Sequence, residues 1–168
     1  MKKLLLIVSC ITVLSSCTSM KLTGNYPDPH YFIETSDSFD DVWSRVIDYF
    51  AYAGVPITTI EKSSGLIVSS KVSFIDHYTT EKRGIPSDPN AYVVIPNLGA
   101  LYLMTGTLTI TGDWNVRIKE SDGKTSININ LINIDCYYTS TGRMGNTTKI
   151  PAKSTGKFEQ SLLDYFAN

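Results

Sequence analysis

Apolar residues fall on two periods along this chain. Phe39, Val42, Trp43, Val46, Ile47 and Phe50 recur at three- and four-residue steps, which places them on one stripe of an α-helix. Ser38 precedes the stripe with Asp41 three residues on, a capping-box arrangement. Asp40 and Asp41 lie in the first turn, where the helix dipole favours them. Gly54 and Pro56 then stop the helix. Such a stripe is expected to face the core. The second period is two. Asp122-Gly123 is the pair that a type I′ hairpin turn needs, since both positions take positive φ. Pairing outward sets Ile118 opposite Ile127, Val116 opposite Ile129 and Trp114 opposite Leu131, all on one face. The other face pairs Lys119 with Ser126, Arg117 with Asn128 and Asn115 with Asn130, so turn chemistry and pleat agree.

The remaining elements follow from shorter signals. Tyr31 to Thr35 is aromatic and β-branched and predicts a first strand. Ile57–Glu61 and Leu66–Ser70 predict a hairpin around Ser63-Ser64-Gly65, with Gly65 ending a three-residue loop. Its register stays open, because Leu66-Ile67-Val68 is continuous rather than alternating. Asp76 to Gly99 is a long excursion. Arg83 to Asn90 is turn chemistry throughout, and Tyr92 to Ile95 suits a short strand. A segment of this length inside one domain is expected to be functional, mobile or both. Strand character returns over Leu101–Met104 and Thr105–Thr111. After Leu131 the apolar parity flips to Ile132, Ile134 and Cys136, which predicts a bulge or a strand end buried on both faces. Cys136 then falls in the core. Thr139 to Lys153 is a polar connection. A last helix, capped near Ser154 or Thr155, carries a stripe of Phe158, Leu162, Tyr165 and Phe166, with Leu163 flanking. The fold class is α+β, an antiparallel sheet packed against two helices.

The first residues follow a different logic. Met1-Lys2-Lys3 is a basic start, and Leu4 to Leu14 is an apolar run too short for a permanent membrane span. Leu14-Ser15-Ser16-Cys17 is a lipobox, in which small residues admit a signal peptidase and the Cys17 thiol takes a diacylglyceryl group. Several acyl chains on one residue anchor a protein stably. Residues 1–16 are therefore expected to be a signal peptide, 17–30 a lipidated tether and 31–168 a single domain. Gly24, Pro27 and Pro29 give the tether a semi-extended character. Thr18, not Asp, follows Cys17, which points to lipid anchoring in the outer membrane, on its periplasmic face. The expected partners are the membrane, through that lipid, and an envelope protein.

Composition narrows the function further. Removing residues 1–16 leaves 152 of 168 residues, one domain's worth. Without Lys2 and Lys3, 13 Lys and Arg face 16 Asp and Glu, a net charge of −3. Nucleic acid is not an expected partner, since binding it takes a concentrated basic face. With Cys10 removed and Cys17 acylated, Cys136 remains alone, so the domain is held by its core rather than by a disulfide.

Candidate chemistry is thin. The histidines are His30, in the tether, and His77. Asp76 and His77 are neighbours, but adjacent strand residues point apart. No His-x-x-x-His or Cys-x-x-Cys spacing occurs, so neither a metal nor a cofactor is expected. No Gly-x-Ser-x-Gly elbow accompanies His77, and no catalytic residue is assigned. Ten tyrosines are more suggestive. Tyr78, Tyr92 and Tyr102, with Arg83, form the candidate interaction surface, since tyrosine offers contact area at small entropic cost. The competing reading has these tyrosines capping sheet edges.

Val42-Trp43 through Val46-Ile47, then Gly54-Val55-Pro56-Ile57, then Ser64-Gly65-Leu66-Ile67-Val68 resembles the opening of the helix-grip domains of the BamC family. The Trp114–Leu131 hairpin and the terminal helix follow the same order. BamC is a lipoprotein of the outer-membrane β-barrel assembly machinery. The resemblance implies a sheet gripping a long helix and assigns no residue a role. Two departures stand out. BamC carries two such domains after a long disordered segment, whereas this chain has room for one after a short tether. The Asp76–Gly99 excursion has no counterpart there. The first expectation is therefore a non-catalytic binding or scaffold module, accessory to an outer-membrane complex. The alternatives are a small-ligand-binding lipoprotein with a pocket between helix and sheet, and an enzyme acting on cell-wall or glycan substrates.

Overall fold

Two strands of unusual length form the spine of the molecule. The computed structural model describes residues 20–26, 31–99, 105–141 and 145–167. The signal segment, Cys17, His30 and Leu101–Met104 with Tyr102 lie outside them. The chain order is β1 (Tyr31–Thr35), α1 (Phe39–Tyr52), β2 (Ile57–Glu61), β3 (Leu66–Ser69), β4 (Val72–Ser73), β5 (Tyr78–Lys82) and β6 (Ile85–Pro86). It continues with β7 (Val93–Ile95), β8 (Gly106–Ser121), β9 (Lys124–Ser140), β10 (Thr147–Ile150), β11 (Lys153–Ser154) and α2 (Lys157–Ala167). The fold is mixed α+β, with mostly antiparallel pairing.

The β8–β9 hairpin has the register that its turn and its pleat predict. Asp122 and Gly123 both have positive φ, and all six pairs named above occur as expected. The parity flip is a bulge: Asp113 opposes Ile132 and Thr111 opposes Asp135, so Gly112 faces both Asn133 and Ile134. Asn133 takes φ 51° there. Beyond the bulge the inward residues of β9 are Cys136 and Tyr138 rather than odd-numbered ones. Ile132 and Ile134 are only half-buried, so the inward parity expected of them begins at Cys136. Asp113 steadies the corner, accepting from the Asn133 amide and from the Lys71 backbone N–H, each at 2.8 Å.

The hairpin is the middle of a seven-stranded sheet ordered β1-β9-β8-β3-β2, with β10 on β9 and β4 on β8. The β2–β3 loop runs from Lys62 to Gly65, one residue longer than expected, because Glu61 pairs with Leu66. Gly65 has φ +69°, and a Cβ there would lie 1.8 Å from the Ile118 carbonyl oxygen, so only glycine fits.

Both helices pack on this sheet, α1 on β8 and α2 on β1 and β9. Ser38 caps α1 by accepting from the Asp41 N–H, and its hydroxyl donates to the Asp41 carboxylate. Val42, Trp43, Val46 and Phe50 are buried as the stripe predicts. Trp114 is the hub between layers, with ring centroids 5.3 Å from Phe50 and 4.9 Å from Phe158. On α2 the buried residues are Phe158, Glu159, Leu162, Leu163 and Phe166; Tyr165, expected in the stripe, is exposed.

Two expectations are corrected. The Asp76–Gly99 excursion is not a loose loop. It supplies β5, β6 and β7, which with β11 make a second sheet ordered β11-β7-β5-β6. Here β5 and β7 run parallel, so the structure is not one antiparallel sheet. Val93, Val94 and Ile95 are fully buried because β7 is flanked on both edges and joins the main core. The polar connection from Thr139 to Lys153 likewise contains β10, paired along β9 from Thr139 to Cys136.

Candidate interaction site

Glu81 organises the site that the sequence did not reveal. It lies on β5 and is 7% exposed. Its two carboxylate oxygens accept from the Thr23 N–H at 2.9 and 3.0 Å and from the Gly24 N–H at 2.8 Å. The Thr23 hydroxyl donates to it as well. Tyr26 closes the cluster, its hydroxyl 3.3 Å from the Gly84 carbonyl oxygen. Burial pushes the Glu81 carboxyl up, but the bonds from Thr23, Gly24 and Tyr26 outweigh it and hold it below the usual range. Burial and the neighbouring Glu81 carboxylate raise Tyr26 to about 12. Residues 20–26 are therefore a docked strap, where their composition had predicted free tether. Met20 also packs against the core.

The strap forms one wall of an open groove of about 670 Å³. Lys21, Leu22 and Tyr26 line that wall; Ile134, Lys149 and Lys153 line the other, with Pro151 between them. Lys149 pairs with Asp135 at 2.8 Å, and its ammonium lies 5.6 Å from the Tyr137 ring centroid. A second open groove of about 620 Å³ lies at the start of α1, between Asp40, Lys62, Arg117 and Lys119.

The residues expected to form an interaction surface separate. Tyr92 is half-buried, 5.7 Å from the Phe158 ring and stacked at 4.8 Å on His77. Tyr78 is also half-buried against the core. Both strands they belong to or adjoin, β5 and β7, are interior to their sheet, so these two side chains pack against the core rather than cap an edge. Arg83 stands apart with φ 55° at the β5–β6 turn, beside Ile85, which is 65% exposed. Of the expected surface residues that are described, Arg83 is the exposed one, and Ile85 beside it extends this to an exposed Arg83–Ile85 tip.

The second buried carboxylate is Glu159, fully enclosed on α2. Strands β1 and β10 pair with the same edge of β9 but leave a gap between Ile129 and Cys136. Glu159 fills it, accepting from the Leu131 N–H at 3.0 Å and the Ser154 hydroxyl at 2.9 Å. Burial raises its carboxyl above the usual range, against the lowering effect of those bonds. It lies 28 and 5 residues from its partners, so no local pattern marks it. Among the described residues, no three His, Cys, Asp or Glu side chains cluster to hold a metal. Burial also raises the Cys136 thiol to about 11, which leaves it un-ionised and unreactive. No helix among the described residues is long and apolar enough to cross a membrane. No protein-family model matches the chain, and no curated protein does.

Proposed function

We propose that this chain is a lipid-anchored lipoprotein of the bacterial envelope, and that its domain is a non-catalytic scaffold for an envelope partner. The docked strap carries this reading. The Leu14–Cys17 motif ends three residues before Met20, and from Thr23 onward the segment behind the anchor is built into the domain by Glu81. Because residues 20–26 behind Cys17 are docked, a lipid on Cys17 would hold the domain in a fixed orientation at the membrane. The outer membrane is the proposed destination and its periplasmic face the proposed side. Two helices on one face of a sheet centred on a long hairpin support the helix-grip relationship to the BamC family as a proposal of fold. The space between helices and sheet is filled by Phe50, Trp114 and Phe158, which favours surface recognition over an enclosed ligand pocket. The Arg83–Ile85 tip is the proposed contact.

The test is affinity capture of the acylated protein from detergent-solubilised native membranes, with mass spectrometry of what co-purifies. A stoichiometric envelope protein that is lost with R83A/I85S supports the scaffold reading. Capture of the chain alone overturns it. Replacing residues 1–17 with a leader cut by the general signal peptidase separates anchoring from recognition: that variant is expected in the soluble periplasmic fraction, still competent for the partner.

A further inference from the structure

The groove beside the strap combines two chemistries at one place. Lys21, Lys149 and Lys153 are all exposed at its rim, and among the described residues no acidic side chain lines it. Asp135, just outside, offsets the Lys149 charge through their ion pair. Glu81 spends its charge behind the strap, on the Thr23 and Gly24 amides. Leu22, Tyr26, Ile134 and Pro151 supply apolar surface between the lysines. Lysines over an apolar floor match a phosphate that sits above glycerol and acyl carbons, as at a bilayer surface.

Position makes the match specific. Two residues, Thr18 and Ser19, lie between Cys17 and Met20, a reach of at most about 10 Å over three chain steps. Lys21 is the next residue and already belongs to the groove wall. An acyl anchor on Cys17 therefore holds this groove close to the headgroup layer. We infer that the groove between the strap and the β10–β11 segment is a binding site for the headgroup of an anionic phospholipid, which seats the domain on the membrane in one orientation. The inference rests on acylation of Cys17, the reading proposed above. The other groove, by Asp40 and Lys62, has no strap residue in its lining.

The experiment uses the full acylated chain in nanodiscs of phosphatidylglycerol with phosphatidylcholine, and in discs of phosphatidylcholine alone. Hydrogen exchange is followed by mass spectrometry. Amides of residues 20–26 and 149–153 are expected to exchange about threefold more slowly or better in the anionic discs, as attraction of lysines to an anionic surface predicts. K21Q/K153Q, which keeps the Lys149–Asp135 pair, is expected to abolish that difference without changing exchange in α1. Equal exchange in the two lipids, or protection that survives in K21Q/K153Q, overturns the headgroup site. The intact mass of the reconstituted protein reports separately on the anchor: a chain without the diacylglyceryl addition sinks the anchoring reading itself.

Discussion

Glu81 and Glu159 are both nearly or fully buried glutamates that accept backbone N–H groups, yet their carboxyls move in opposite directions. Glu81 takes the Thr23 and Gly24 amides and the Thr23 hydroxyl, with Tyr26 alongside, in a cleft near the surface. Glu159 takes the Leu131 amide and the Ser154 hydroxyl deep in the helix–sheet interface. Donors stabilise a carboxylate charge and burial penalises it, so their balance sets the direction. At Glu81 the donors win; at Glu159 burial wins. The roles follow. Glu81 is a charged clasp for a segment that has no sheet partner. Glu159 is a structural plug for a sheet edge that no strand covers.

The largest expected break in this contrast is E159A. It strands the Leu131 N–H and the Ser154 hydroxyl in the core and opens a void, so it should cost about 3 kcal/mol of unfolding free energy in urea titrations. E81A should cost less, about 1–2 kcal/mol, because the Thr23 and Gly24 amides can turn to water once the strap lifts. Its signature is local: exchange at Thr23 and Gly24 should approach the unfolded rate while Ile129 stays protected.

The pH dependence should separate the two with opposite signs. A raised folded pKa gives stability that is complete below the unfolded value, 4.5, and is lost as pH rises through the folded value. The wild-type protein should therefore lose stability relative to E159Q as pH climbs above 4.5. A lowered pKa gives stability that is present above 4.5 and lost as pH falls through the folded value. The advantage of wild type over E81Q should accordingly shrink below pH 4.5. Matching slopes for the two variants would erase the distinction. T23V is the finest probe. It removes one hydroxyl from the Glu81 clasp and leaves the backbone donors, for an expected loss of about 0.5–1 kcal/mol in the same titration.

What the sequence made legible is local. The α1 stripe and the Asp122-Gly123 hairpin were readable because cap, turn and periodicity each act over a few residues and agree with one another. The bulge was readable as a parity change, and the structure adds that Asn133 absorbs it. β7 was visible as a short apolar run. Its parallel pairing with β5 and its place beside β11 were not, since Val93 and Lys153–Ser154 meet only through the fold. The strap was misread for a related reason. Gly and Pro content reports backbone stiffness, whereas docking depends on a carboxylate 58 residues away. Among the residues expected at an interaction surface, Tyr92 differs from Arg83 in having a ring that Phe158 covers, and no spacing rule brings Phe158 there.

The order of strands in the sheets also sets an order of events in time. β1 waits for β9, β7 is completed by β11, and the gap along β9 closes only when α2 delivers Glu159. A chain emerging N-terminus first can therefore hold only part of this structure until α2 has emerged. While a ribosome or an export channel still holds α2, the β1–β10 gap along β9 stays open to other partners.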